Sequence, residues 1–117
     1  MTQKDFKAYS DARHESRERL SLEKGAAYAE ADDRFGNFKR RAVSLCQTPM
    51  QVMLGDLSKH FDRVVRFARG VEQDTDGFES RIDDMIVYLQ LIDGLHKEQQ
   101  DERNTQTCAR DCAIPGS

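Results

Sequence analysis

Tryptophan is missing from the 117 residues, proline occurs twice and glycine seven times. So few breakers leave little room for the turns of a sheet protein and favour helices joined by short connections. Long apolar runs are missing too. None exceeds a few residues, whereas a membrane span needs about 20, and the N-terminal MTQKDFKAYSDARHE has no apolar signal-peptide core. Both absences point to a cytoplasmic protein with no membrane partner. Nor is there an excess of positive charge. Eighteen basic side chains face 21 acidic ones, for a net charge of −3, so no overall field draws in a phosphate backbone and nucleic acid is disfavoured as a partner. Three cysteines, Cys46, Cys108 and Cys112, cannot all pair within one chain and read as free thiols. The nearest histidine to the tail pair, His96, lies too far off for a zinc site.

What is present fits one all-α domain, because single domains run about 100–150 residues. From Asp11 to about Glu30 the residues favour a weakly amphipathic helix. ADDRFGN then suits a turn, and a short helix follows from about Phe35 to Leu45. Thr48, Pro49 and Gln51 form a capping box with proline at the first helical position. The helix they start carries apolar residues at Met50, Met53, Leu54, Leu57, Phe61, Val64, Val65 and Ala68 and stops at Arg69-Gly70. A second capping box at Asp76 and Glu79 opens a helix whose stripe is Phe78, Ile82, Met85, Ile86, Leu89 and Ile92. This predicts a small bundle of about four helices over residues 1–97, which associates through helix faces. Residues 98–117 have little to bury and read as a flexible tail.

The stretch FESRIDDMIVY crowds Glu79, Asp83 and Asp84 into the first turns of the last helix. With Glu79 at zero and about 100° per residue, Asp83 falls near 40°, between the apolar stripe and a second apolar set of Val87, Leu91 and Tyr88. Asp84 falls near 140°, outside that wedge. A helix packed on two faces desolvates the carboxylates between them, and an ionised group there needs a compensating cation. On the preceding helix, Asp56, Lys59, His60 and Arg63 form a strip bordering its apolar face. Two readings follow. In one, Lys59, His60 and Arg63 bind phosphate while Glu79 and Asp83 hold Mg²⁺. In the other, the strips are interhelical salt bridges, which residue types alone favour because charged flanks are common on bundle helices. His60 fits a phosphate ligand or general base and equally a partner for Asp56. Phe35 and Phe38 fit base stacking less well than core packing, and Lys39-Arg40-Arg41 reads as a solvated face.

Taken in order, EKGAAYAEADDRFGNFKRRA, TPMQVMLGDLSKHFDRV and FESRIDDMIVYLQLIDGL resemble phage and prophage proteins of the nucleotide-modification-associated type, a group that looks like a divergent relative of the MazG-like all-α nucleotide pyrophosphohydrolases. The matching elements are Lys24 with Tyr28, Asp33 through Asn37-Phe38, the Lys59-His60 pair, and Glu79 with Asp83-Asp84 and Tyr88. The resemblance implies a four-helix fold assembled as a dimer or tetramer. It also implies a magnesium-dependent nucleotide site, with cleavage of a nucleoside triphosphate to monophosphate and pyrophosphate as the enzymatic form. Glu79 and Asp83 would then be catalytic and would hold the metal, with Asp84 as a substitute ligand. Lys59, His60 and Arg63 would contact phosphates, and Asn37 and Phe38 the base. The sequence departs from these patterns in three places. The acidic E-E-x-x-E motif of the preceding helix is reduced to Asp56 and Asp62, Ala27 stands before the first tyrosine, and Val87 replaces the asparagine before the last. These departures weaken the hydrolase expectation and leave a non-catalytic helical module, one that oligomerises or binds a host protein, as the competing expectation.

Overall fold

A computed structural model describes the backbone of residues 1–28, 33–71 and 75–113 and the side chains of 1–23, 33–71 and 77–106. Four helices account for most of the chain: α1 (Gln3–Tyr28), α2 (Gly36–Leu45), α3 (Pro49–Ala68) and α4 (Thr75–Ala113). The fold is an all-α small helical bundle.

Helix α1 begins earlier than its apolar pattern suggests. The Thr2 hydroxyl accepts from the Asp5 amide at 3.1 Å, and the Asp5 carboxylate accepts from the Thr2 amide at 3.4 Å. This reciprocal cap uses aspartate where the familiar pattern has glutamate. Asp33 makes the turn before α2, its carboxylate accepting from the Phe35 amide at 2.9 Å. Cys46, at φ 53°, ends α2 in the left-handed region, and the Gln47 amide reaches back to the Ala42 carbonyl. Two residues later Thr48 and Gln51 cap each other as expected, at 3.2 and 2.8 Å, with Pro49 in the first turn. Gly70 takes a φ of 75° after α3, and the Val71 amide closes on the Arg66 carbonyl. The expected cap at Asp76 lies outside the described side chains.

Helices α3 and α4 form an antiparallel pair. Phe67 stacks on Phe78 at 4.6 Å near the turn, and Val52 and Met53 meet Leu95 at the far end. Helix α2 lies across that far end and adds Phe38 and Ala42, so the buried core is Phe38, Ala42, Val52, Met53 and Leu95. Gly94 lets Phe35 lie against α4, since a Cβ there would sit 3.3 Å from the ring.

Two expectations change. Helix α4 runs on past Lys97 to Ala113 and so covers most of the segment read as a flexible tail. Lys97 pairs with Asp101 one turn on, and the Thr105 hydroxyl donates to the Asp101 carbonyl. Good helix formers with i,i+4 pairs can extend a helix without a core to bury. Among the expected stripe residues, Leu54, Phe61 and Leu89 are about half exposed, at 48, 53 and 54%, because the short α2 covers only one end of the α3–α4 pair. The chain is correspondingly long. Its radius of gyration is 19.1 Å, against about 13 Å for a compact domain of this length.

Candidate functional site

Two adjoining hollows open along the α3–α4 pair. A cavity of about 240 Å³ under α2 is lined by Arg34, Asn37, Phe38 and Arg41 from the α2 side and by His60, Asp84 and Tyr88 from the other two helices. A shallower groove of about 320 Å³ continues along α3, lined by Asp56, Lys59 and Arg63 with Arg81 from α4. His60 and Tyr88 border both, so the hollows form one crevice.

The sequence places these side chains by period. On α3, Asp56, Lys59, His60 and Arg63 recur at three and four residues and share one edge. On α4, Arg81, Asp84 and Tyr88 do the same. An ion-pair network joins the helices across the crevice. Arg41 grips Asp56 with both terminal nitrogens, at 2.8 and 2.9 Å, in the bidentate geometry that suits guanidinium and carboxylate. The Tyr88 hydroxyl donates to the same carboxylate at 3.2 Å. These bonds, Arg41's first, hold the Asp56 carboxyl below the usual carboxylate range, although partial burial opposes them. Burial, reinforced by the Asp56 charge, pushes the Tyr88 phenol up to about 12. Tyr88 is therefore a neutral donor across the physiological range.

His60 lies 5.7 Å from the Tyr88 ring, and its Nδ1 is 3.2 Å from Nη1 of Arg81. A guanidinium only donates, so in this contact Nδ1 is the acceptor. Asp84 stands 3.8 Å from the same nitrogen.

The crevice brings together four residues singled out in the sequence as substrate ligands or metal substitute: Asn37, Phe38, His60 and Asp84. Lys59 and Arg63 adjoin them in the groove. Glu79 and Asp83 belong elsewhere. Asp83 turns to α1, where Arg13 and Arg17 donate to one of its oxygens at 2.7 and 2.9 Å. Its side chain is 13% exposed, and those of the two arginines 18 and 16%. Glu79 is exposed, and its main-chain carbonyl accepts from Arg13. The proposed metal ligands Glu79, Asp83 and Asp84 thus do not converge. Among the described residues no three His, Cys, Asp or Glu side chains gather as they would around a metal ion. The physical reason is position: Asp83 turns to the guanidinium groups of Arg13 and Arg17 on α1, Asp84 turns to His60 on α3, and Glu79 is exposed. As placed, these side chains do not fit a protein-held Mg²⁺.

Sequence reasoning missed Arg34, Arg41 and Arg81 at the crevice and Arg13 and Arg17 on α1. Arginines spaced four apart, where α1 ought to bury an apolar side chain, were the available signal for the last two. For Arg41 there was none short of knowing that α2 crosses Asp56. Lys39 is likewise no idle surface charge, bridging Asp33 at 2.8 Å and Glu98 at 3.2 Å. Comparison of the chain with protein-family models, curated proteins and solved structures finds no match.

Proposed function

We propose that the protein binds a nucleotide in the crevice between α2, α3 and α4, and that binding rather than hydrolysis is its activity. The observation that carries this reading is the lining. An aromatic and amide wall of Phe38, Tyr88 and Asn37 opens directly into a groove bearing Lys59, Arg63 and Arg81. A base needs a π-face and an amide to read its edge, and a phosphate needs clustered cations. Pockets for such ligands combine an apolar wall with a few placed polar groups. Hydrolysis would call for a base or metal free to activate water. Asp56 is committed to Arg41 and Tyr88, and Asp83 to α1, which supports binding without turnover.

Thermal unfolding with a panel of nucleosides, nucleoside monophosphates and nucleoside triphosphates tests the reading. A ligand at about 100 times its Kd stabilises by about 2.7 kcal/mol. The melting temperature is expected to rise by several degrees with triphosphates and least with nucleosides. No rise with any member of the panel would contradict the reading.

A second reading, compatible with the first, is that the chain assembles with copies of itself. Phe6 and Tyr9, on the α1 face that carries Arg13, are 54 and 50% exposed, as are Leu54, Phe61 and Leu89 on the α3–α4 pair. Exposed apolar side chains gathered on one helix face, as Phe6 and Tyr9 are, suit an association surface, and the extended shape supports a partner.

A further inference from the structure

We infer that the crevice holds the phosphate chain of its ligand directly on cationic side chains, in the place a magnesium ion would take. This deepens the nucleotide reading and rests on it for the nucleoside end only.

The inference follows from charge and position. The cavity contributes Arg34 and Arg41 and the groove Lys59, Arg63 and Arg81, against two carboxylates, Asp56 and Asp84. The five cations lining the two hollows outnumber their two carboxylates, a local excess of positive charge in a protein of net charge −3. Such a patch concentrates anions and repels a divalent cation. Lys59 and Arg63 stand one turn apart on α3, about 5–6 Å between Cβ atoms, with Arg81 opposite them on α4, its guanidinium held against His60 at 3.2 Å. Three cations on two facing helices suit a chain of linked phosphates better than a single one. Arginine contacts phosphate through paired donors, and lysine adds a point charge.

His60 and Tyr88 set the direction of the nucleoside end. Both border the two hollows, so a ligand with its phosphates on Lys59, Arg63 and Arg81 has its nucleoside directed under α2, toward Phe38 and Asn37. Magnesium already bound to the phosphates would cancel the charge this groove recognises. The ligand class is therefore a nucleoside polyphosphate free of metal.

Calorimetric titration of the full chain with a nucleoside triphosphate and with inorganic tripolyphosphate, each in EDTA and in excess magnesium, tests this. Both ligands are expected to bind in EDTA and to weaken several-fold in magnesium. A Lys59→Ala/Arg63→Ala variant should lose most of that binding. Both side chains are exposed, so the fold should survive, which circular dichroism checks. A triphosphate that binds only with magnesium overturns the inference and leaves the nucleotide reading standing. Tripolyphosphate that binds in EDTA as tightly as any nucleotide keeps the cation clamp and removes the nucleotide reading. No binding of either ligand in EDTA or magnesium overturns both.

Discussion

Arg13 places Nη2 2.7 Å from Oδ1 of Asp83, across the junction of α1 and α4. Both side chains are largely shielded from water there. With Arg17 at 2.9 Å on the same oxygen, the contact ties α1 to α4 among the described residues. Removing one partner from a shielded ion pair costs more than the pair itself contributes, because the remaining charges stay uncompensated. Asp83→Ala is therefore expected to destabilise the protein by about 3 kcal/mol and to speed amide exchange along α1. Nucleotide affinity should stay unchanged. A fully stable Asp83→Ala protein that loses nucleotide affinity would instead return Asp83 to the ligand site.

Asp56, Arg41 and Tyr88 give the crevice a pH signature at both ends of the scale. Arg41, then Tyr88, lower the folded-state pKa of Asp56. Its stabilising contribution is present above the unfolded carboxylate value and is lost as pH falls through the lower folded value. Tyr88 is raised to about 12 from 10.0. Its contribution is complete below pH 10.0 and is lost as pH climbs through about 12. Chemical denaturation across pH should show both declines. Tyr88→Phe is expected to remove the alkaline one, together with the late phase of tyrosinate absorbance, at a cost near 1 kcal/mol for the lost hydrogen bond.

Thr48 starts α3, the helix that carries Lys59, His60 and Arg63. Its reciprocal cap with Gln51 satisfies two amides the first turn would leave open. Thr48→Ala should cost about 1 kcal/mol, read by urea denaturation, whereas Thr48→Ser should cost far less.

If self-association covers Phe6 and Tyr9, a Phe6→Glu/Tyr9→Glu variant should sediment as a smaller species than the parent chain while keeping its helical circular dichroism. Equal sedimentation of a parent that is already monomeric would end that second reading.

Much of the fold was legible in the sequence because its signals are local. Thr48-Pro49-Gln51 announced α3, and Arg69-Gly70 its end, through backbone rules that need no partner. The start of α1 hid in Thr2 and Asp5, a capping pair outside the usual glutamate form. The extent of α4 was hidden because helix propensity and i,i+4 pairs sustained it where burial did not. The site was half legible. Periodicity put Lys59, His60 and Arg63 on one edge of α3 and Asp84 apart from Asp83 on α4. It could not say which edge met which helix, and so gave no sign that Asp83 meets α1. A helical wheel fixes angles within a helix and says nothing of α1 arriving on the far side with two arginines.

The most direct test of the account is a heteronuclear NMR titration of the protein with a nucleoside triphosphate in EDTA, followed residue by residue. The account predicts shifts concentrated at Asn37, Phe38, His60, Arg81 and Tyr88, with Glu79 and Asp83 undisturbed. Shifts centred on Glu79 and Asp83, or a spectrum that does not change at any ligand concentration, would contradict it.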